Sequence, residues 1–379
     1  MKQILCIADT PWHGLPSRTM QLMSRLKNFR VLYIDPSPAA SSRTEPSHRG
    51  WRDEGEHVTK NVTVLTAPPR GRAADTSRFF NKTYYKRMAG WLKKQMREYG
   101  FERPLLWLTA PSALALRGRL DHGAVVFDCS EPFSESLDKA EHLRYQWTRE
   151  LTAEASLILT QSESLSRLLS GLSSHVVTVS NGVDYELFQR ATDGSLPFPN
   201  DLFTIKNPIL GHIGAVNEHL NLSYVEAAAK AHPDWSFVFV GEVSPNTDVE
   251  PLSALGNVRF LGVKPQKQLP AYLCRFDVCI SLYKAGELSR DISPMKLYEY
   301  LATGKPIVST PQPSQVLDFA EVVYISGTAE EWTESCRRAL SEHDAWKVRQ
   351  RGVFAQVSGW ETRVAEVEHA ILEKGVLEL

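Results

Sequence analysis

The chain has few cysteines, no long apolar run and almost no net charge, and each of these shortages excludes a class of protein. Its five cysteines are scattered and form no C-x-x-C pair, so neither a disulfide framework nor a zinc site is indicated. No stretch is apolar for long enough to span a bilayer. The formal net charge of −1 gives no overall attraction to nucleic acid.

The first residues lack the pattern of a secretory leader. Their apolar run is short, and no small-residue cleavage site follows it. A length of 379 residues is sufficient for two domains with full cores. We therefore expect a cytoplasmic protein of two domains with no nucleic-acid partner.

Short apolar runs alternate with amphipathic segments along most of the chain. In the first half, strands are predicted at residues 3–8 and 31–34, with a helix at 19–26 between them. In the second half, strands at 208–213 and 235–240 flank another helix. This order predicts an α/β fold of doubly wound parallel sheets, in which ligands bind at the carboxyl ends of strands.

The most informative stretch is LSRDISPMKLYEYLATGKPIVST, residues 288–310. Ser293 is a good N-cap, Pro294 suits the first helical position, and Gly304 can end the helix in the left-handed conformation. A helix that starts here has free N–H groups and a positive dipole end, and Lys296 lies in its first turn. These features are typical of a phosphate site, although Ser-Pro is a common helix start and such a lysine is usually solvated.

Two carboxylates accompany this helix start. Asp291 precedes the cap, and Glu299 lies three residues beyond Lys296 on the same side of the helix. Carboxylates accept hydrogen bonds from hydroxyl groups. A ligand with a diphosphate and several hydroxyls, a nucleotide sugar, fits this set.

The pattern S-P-x-K-x-x-E-Y-L-A-x-G-K-P-I-V resembles the donor-site segment of family 4 GT-B glycosyltransferases. Met295, Lys296 and the upstream Tyr283 are also similar to the xanthan glucuronosyltransferase family. The resemblance implies a GT-B fold, that is, two Rossmann-like doubly wound domains facing across a cleft. Residues 1–182 would bind the acceptor and residues 183–359 the nucleotide sugar, a UDP-sugar foremost, while a helix at 360–379 crosses back onto the first domain.

The same resemblance adds further donor residues. Gly214 follows the first strand of the second domain, and Val263 lies in a strand and turn whose backbone pairs with the base in similar enzymes. The arginine and lysine that often follow that first strand are absent here, since Asn217, Glu218 and His219 stand in their place. Phosphate binding is therefore expected to rest on Lys296 and the helix start, with help from Arg290.

Candidate catalytic and acceptor residues lie in the first half. Asp128 and Glu131 follow a predicted strand, and the resemblance matches Glu131 to the catalytic aspartate of the xanthan enzyme. In the loop after the first strand, Trp12 is expected to stack on a sugar, and His13 and Arg18 to contact the acceptor. Asp128 could instead cap local N–H groups, and His13 could be an exposed loop residue.

No D-x-D triplet occurs, so a metal-bridged diphosphate is not indicated, and no cofactor is expected. The helix predicted at residues 77–99 carries seven basic residues against one acid, interleaved with aromatics. Such a helix can lie on an anionic membrane surface, which would make the protein peripheral on the inner face of the cell membrane. It could equally pack on the core with a solvated basic face.

The sequence favours a metal-independent glycosyltransferase acting on a glycan or lipid-linked acceptor in cell-surface polysaccharide synthesis. Two alternatives stay open. A sugar-nucleotide 2-epimerase shares the fold and needs no acceptor. A non-catalytic subunit could keep the fold in order to position a partner transferase.

Overall fold

The computed structural model describes residues 1–13, 16–36, 55–130, 138–286 and 295–376. The chain divides into a first unit, residues 1–180 with 363–379, and a second unit, residues 181–362. The sequence had suggested a first boundary two residues later, after Gly182. Residues 193–207, interpreted from sequence as a linker, belong to the second unit, where Leu202 is fully buried.

The first unit is built on an eight-stranded sheet. Its strands are β1 (Lys2–Ile7), β2 (Phe29–Asp35), β3 (Glu56–His57), β4 (Val62–Thr66), β5 (Leu105–Leu108), β6 (Val125–Cys129), β7 (Leu157–Thr160) and β8 (Val176–Thr178). They lie in the order β3-β4-β2-β1-β5-β6-β7-β8, and all neighbours are parallel except β3 and β4. Because the chain proceeds to opposite sides of β1, the topological switch point lies between β1 and β5, where doubly wound sheets bind ligands.

Helices cover this sheet and bury its apolar strands. They are α1 (Arg18–Arg25), α2 (Ala73–Thr76), α3 (Arg78–Glu98), a 3-10 helix (Pro111–Leu116), α4 (Lys139–Glu154) and α5 (Glu163–Ser170). Continuous apolar runs such as β5 are buried along their whole length, as expected for parallel strands covered on both faces. Met88 and Leu92 of α3 pack into the same core.

The second unit has a six-stranded sheet in which all neighbours are parallel. Its strands are β9 (Ile209–Ile213), β10 (Ser236–Val240), β11 (Val258–Phe260), β12 (Val278–Ser281), β13 (Ile307–Ser309) and β14 (Tyr324–Ile325). The order β11-β10-β9-β12-β13-β14 is the strand order 3-2-1-4-5-6 of dinucleotide-binding folds. The switch point therefore lies between β9 and β12.

The helices of the second unit flank this sheet. They are α6 (Tyr185–Phe188), α7 (Leu222–Ala231), α8 (Glu250–Ser253), α9 (Leu269–Arg275), α10 (Met295–Ala302), α11 (Ala329–Leu340), α12 (Ala345–Val357) and the start of α13 (Trp360–Glu373), with short 3-10 helices at Gln189–Thr192, Asn200–Leu202, Gln266–Gln268 and Ser314–Phe319. No helix was predicted at α12. Trp346, Val348 and Val353 of α12 are exposed. The apolar residues of α12 therefore do not form the single stripe that identifies an amphipathic helix in a sequence.

Arg351 of α12 forms a buried ion pair with Glu342 and also contacts the carboxyl end of α10. The side chains of Arg351 and Glu342 are 0% and 3% exposed. Arg351 Nη2 donates to Glu342 Oε2 at 2.8 Å, Nε donates to the Val322 carbonyl at 2.9 Å, and Nη1 donates to the Gly304 carbonyl at 3.2 Å. Gly304 has φ +68° and ends α10 in the left-handed conformation that the sequence predicted.

We predict that Arg351→Met destabilises the second unit by roughly 3–5 kcal/mol, because it removes the guanidinium that donates to the buried Glu342 carboxylate, and Lys347 Nζ, 3.8 Å from Oε2, is too distant to replace it. Urea unfolding followed by circular dichroism measures the change. Arg337→Met is the matched control, since it breaks an exposed ion pair with Glu334 on α11 and should change stability little. Equal effects of the two substitutions would contradict a stabilising role for the buried pair.

Candidate active site

The switch point of the second sheet brings together three segments that are far apart in sequence. The chain leaves β9 at Gly214, leaves β12 at Tyr283, and enters α10 at Met295. The strands β9 and β12 are parallel neighbours, so the first two segments lie at the same edge. The structure thus places Gly214 beside the helix that the sequence analysis had assigned to phosphate binding.

The turn after β9 depends on two glycines in close contact. The Gly214 N–H donates to the Val240 carbonyl at 2.9 Å. A Cβ atom on Gly241 would lie 1.9 Å from the Gly214 carbonyl oxygen, so no side chain fits there. A Cβ atom on Gly214 itself would lie 3.7 Å from Lys296 Cε. The bare backbone of this turn therefore lies directly against the lysine side chain.

Lys296 and Glu299 form an ion pair along one face of α10. Lys296 Nζ lies 3.1 Å from Glu299 Oε1 and 3.0 Å from Oε2. The lysine side chain is 30% exposed and the glutamate side chain 7%. Burial raises the pKa of Glu299, and the charge of Lys296 acts in the opposite direction. Lys296 is the more exposed partner, and Glu299 is the buried carboxylate that pairs with it.

Tyr300 fixes α10 to the sheet edge, and Tyr283 lies beside the same helix. The Tyr300 hydroxyl accepts from the Ile213 N–H at 2.8 Å and lies 3.3 Å from the Ile213 carbonyl. Tyr283 follows β12, and its carbonyl accepts from the Thr310 hydroxyl at 2.7 Å. Burial, followed by the charge of Glu299, raises the pKa of Tyr283. The Tyr283 ring therefore lies close to the acid of the ion pair.

His212 was missed in the sequence analysis, although it is the only polar side chain in the apolar strand β9. It is 3% exposed, and Nδ1 lies 3.1 Å from the Ile280 carbonyl. Since a carbonyl only accepts, Nδ1 carries the proton and Nε2 presents a lone pair. A Cβ atom on Gly214 would be 3.3 Å from that Nε2 atom, so the imidazole packs directly against the glycine turn.

Of the other predicted donor residues, two lie at the same edge of the sheet, and three lie outside the residues that the structure describes. Val263 is 57% exposed and follows Gly262, whose carbonyl accepts from the Gly241 N–H at 3.0 Å. Met295 is the first residue of α10 and is half-buried. Arg290, Asp291 and Ser293 lie outside the described residues.

In the first unit, two predicted site residues bind each other. Arg18 Nε donates to Asp128 Oδ1 at 3.0 Å, and both side chains are buried, at 6% and 1% exposed. Arg18 Nη1 also donates to the Ser180 carbonyl at 3.2 Å. Asp128 at the end of β6 thus fixes Arg18 at the start of α1. This burial favours a positioning role for both residues, while their direct roles in catalysis and acceptor binding stay predictions.

The loop after β1 differs from the expectation of an open stacking platform. Trp12 is 9% exposed and packs edge-on against Tyr33, with ring centroids 5.1 Å apart. The Trp12 backbone N–H donates to Asp35 Oδ1 at 2.7 Å. His13 is half-exposed, and its Nε2 atom lies 3.3 Å from Glu56 Oε2. Glu131, the predicted base, lies outside the described residues.

Helix α3 places three of its aromatic rings against the core and most of its basic side chains on the exposed face. Tyr85 is buried, and Tyr84 and Trp91 pack partly against the core, so these rings do not face outwards. Phe79 and Phe80 are exposed at the start of the helix. The outward face carries six exposed cations, Lys82, Lys86, Arg87, Lys93, Lys94 and Arg97. Among the residues that the structure describes, no helix is long and apolar enough to cross a membrane.

Comparison with known proteins identifies the second half of the chain. Residues 207–342, which include the glycine turn and α10, match the family described as Glycosyl transferases group 1. These residues form a group 1 glycosyl transferase domain. A protein of Bacillus subtilis (strain 168), TuaH, named as a teichuronic acid biosynthesis glycosyltransferase, is 28% identical over 364 residues, or 89% of this chain and 88% of its own.

Solved structures extend the likeness to the whole chain. HepE of Anabaena in complex with UDP superposes with a TM-score of 0.69 at 14% identity, covering 98% of this chain and 100% of its own. A UDP-forming trehalose-phosphate synthase from Burkholderia vietnamiensis superposes with a TM-score of 0.72 at 12% identity, covering 100% of both chains. The fold is GT-B, as the sequence resemblance implied. The resemblance to the xanthan glucuronosyltransferase family stays a prediction.

We predict a pH-dependent contribution of His212 to stability. Burial, with a smaller effect of Lys296, lowers the pKa of His212 to about 4. Between pH 6.5 and 4 the unfolded chain takes up a proton that the folded chain does not, so stability is lost as the pH falls through this window. The loss amounts to about 3 kcal/mol and is absent above it.

Urea unfolding of wild type and His212→Asn between pH 4 and 7 measures this contribution. The variant should show a flatter dependence on pH, whatever its stability at neutral pH. His219→Asn is the control, because that histidine is exposed and should leave the wild-type pH profile unchanged. An unaltered slope in His212→Asn would refute the buried neutral imidazole.

Proposed function

We propose that the protein transfers a sugar from a UDP-sugar, bound by the second unit, to a glycan or lipid-linked acceptor, bound by the first, in cell-surface polysaccharide synthesis. The observation that carries the proposal is the arrangement of Lys296 beside the bare backbone at Gly214, at the switch point of a sheet with the strand order of dinucleotide-binding folds. UDP in the HepE complex and the UDP-forming activity named for the Burkholderia enzyme support the choice of base. The teichuronic acid role named for the Bacillus relative supports a polysaccharide product.

We assign the diphosphate to Lys296 and the start of α10. A fixed cation and a helix dipole stabilise charge on the departing nucleoside diphosphate without any reorganisation during the reaction. This assignment needs neither a metal ion nor a cofactor. Arg290, Ser293 and Met295 would complete the phosphate side of the site, and Asp291 would accept from sugar hydroxyls.

Glu299 has two tasks in this proposal. Without donor it holds Lys296, and with donor it accepts from the ribose hydroxyls, since its carboxylate has acceptor sites for both partners. Tyr283 lies close to Glu299 and would line the same side. Val263 and its neighbours on the exposed turn after β11 would pair with the base.

For the chemical step we propose Glu131 as the base that activates the acceptor hydroxyl. Asp128, three residues earlier, is held by Arg18 and would fix the end of β6 from which the Glu131 segment departs. His13 would contact the acceptor at the end of β1, and Trp12 would support that loop through its ring contact with Tyr33. A base in this position contributes about 10²–10⁴-fold to the rate.

We also propose that α3 brings the enzyme to an anionic membrane surface, where a lipid-linked acceptor is found. Its outward face combines the six exposed cations with Phe79 and Phe80 at one end. Cations attract anionic headgroups, and exposed aromatic rings insert at the interface. Localisation would then be cytoplasmic and peripheral on the inner membrane face.

We predict that Lys296→Ala and Glu299→Ala fail differently. Lys296 would meet charge that grows as the leaving group departs, so Lys296→Ala should lower kcat and also weaken donor binding. Glu299 would bind hydroxyls that do not change during the reaction, so Glu299→Ala should raise the donor KM with less effect on kcat. Steady-state kinetics and calorimetric titration with UDP separate the two effects.

Lys230→Ala is the matched control for these variants. It removes another lysine from an ion pair on a helix of the same unit, Lys230–Glu226 on α7, and should leave donor binding unchanged. Unchanged UDP affinity in both Lys296→Ala and Glu299→Ala would falsify the donor site. Acceptor-dependent release of UDP distinguishes transfer from epimerisation, which would alter the donor sugar alone.

For the membrane proposal, we predict salt-sensitive cosedimentation with liposomes that contain anionic lipid. Each basic group near such a surface contributes roughly 1 kcal/mol, so Lys93→Glu with Lys94→Glu should reduce binding at least tenfold. Lys206→Glu with Lys267→Glu makes the same charge change on the second unit and should have no comparable effect. Absence of binding at low salt, or equal loss in both double variants, would exclude α3 as the contact surface.

A further inference from the structure

Two adjacent cavities lie at the switch point of the first sheet, and neither was assigned in the sequence analysis. One, of about 400 Å³, is lined by residues that directly follow β1 and β5, by the end of β6 and by α4. The other, of about 240 Å³, is lined by the ends of β1 and β2 and by α3. They share four lining residues, Asp9, Arg70, Asp75 and Ala110. Cavities at the carboxyl ends of parallel strands are the usual ligand sites of this architecture.

Arg70 lies between the two cavities and is held in place by aromatic rings. Its guanidinium carbon is 5.5 Å from the ring centroid of Tyr84 and 5.7 Å from that of Tyr85. Arg70 Nη2 donates to the Ser112 hydroxyl at 3.3 Å, and that hydroxyl also pairs with the Tyr85 hydroxyl at 3.2 Å. Tyr85 and Ser112 are buried, so the cation is oriented in advance by rigid neighbours.

Arg70 also contacts Asp75, a carboxylate on the short helix α2. Arg70 Nη2 lies 2.5 Å from Asp75 Oδ1, and the two side chains are 23% and 57% exposed. A pair of this exposure contributes little to stability, because water competes for both groups. The position of the Asp75 carboxylate is therefore one that an incoming carboxylate or phosphate can take over, since Arg binds either anion in a planar, two-pronged geometry.

The rest of the larger cavity suits a sugar. Trp147 contributes its ring to the wall, and Thr109 and Ser112 supply hydroxyl groups. The carboxylates of Asp9 and Glu141 can accept from sugar hydroxyls. A ring wall with a few polar groups is the ordinary composition of a small-molecule pocket.

We infer that these joined cavities bind the acceptor end, and that Arg70 selects an acceptor sugar carrying a carboxylate or a phosphate. The inference rests on the proposed function and deepens it by naming the class of acceptor. Asp75 occupies the anion position when the site is empty and gives way when the acceptor binds. Arg70 is thus a specificity residue of the acceptor site, in addition to the residues expected from the loop after β1.

The test is calorimetric or NMR titration of the full chain with three probes: methyl β-D-glucuronide, glucose 6-phosphate and methyl β-D-glucoside. Wild type should bind at least one of the two charged sugars about tenfold more tightly than the neutral one. Arg70→Gln should remove this preference, Arg70→Lys should retain part of it, and Asp75→Asn should strengthen binding of the charged sugar several-fold. The stronger charged probe identifies whether carboxylate or phosphate is recognised.

Arg117→Gln is the matched control, because it breaks another partly exposed arginine–carboxylate pair of the first unit, with Glu154 at the far end of α4. It should leave the preference intact. Equal affinity for charged and neutral sugars in wild type, no measurable binding of any probe, or a preference that survives Arg70→Gln overturns the inference. If Arg70→Gln does not fold, Arg70→Lys and Asp75→Asn carry the same test.

A UDP titration of the same preparations separates this inference from the function on which it rests. Normal UDP binding without a charged-sugar preference overturns the role of Arg70 alone. Loss of UDP binding in wild type would overturn the donor site as well.

Discussion

The second unit depends on the fixation of helix α10 near its carboxyl end. In the last turn, the Tyr300 hydroxyl bonds to both backbone groups of Ile213 and so attaches the helix to β9. At its end, Arg351 donates to the Gly304 carbonyl while a buried carboxylate holds the guanidinium. A buried cation is tolerated only where it is paired and hydrogen-bonded, and here both conditions are met by backbone and acid. The position of Lys296 beside the glycine turn follows from these two attachments.

Much of this fold could be predicted because its signals are local. Apolar runs and helical periodicity marked most strands and helices, and Gly304 marked the end of α10 because a left-handed residue is needed there. Helix α12 was missed since several of its apolar side chains face outwards and its inward residues include Arg351. Residues 193–207 of the second unit were interpreted as a linker for a related reason: their few buried apolar residues are separated by glycine and proline.

The site was harder to derive because its main contacts join distant segments. Arg18 and Asp128 were both identified, but as separate acceptor and catalytic residues, whereas they are a buried pair 110 positions apart. The local signal of His212 was weak, a single polar side chain in an apolar strand, and Arg70 had none. The fold brings His212 against the glycine turn and Arg70 against two tyrosines. These contacts, which the sequence does not show, indicate the roles of both residues. Sequence patterns therefore locate elements better than they assign partners.

The ion pair between Lys296 and Glu299 has a consequence for the catalytic cycle. If the lysine binds the diphosphate, then Glu299 is a built-in competitor three residues away, always present at the same effective concentration. Every donor competes with an intramolecular partner for the lysine, and this competition lowers the ground-state affinity. The same carboxylate can recapture the lysine after the sugar has been transferred, and so it assists departure of the spent nucleotide. Slow product release limits the turnover of many enzymes. In this arrangement, a residue of the binding helix itself would weaken product binding and so speed release.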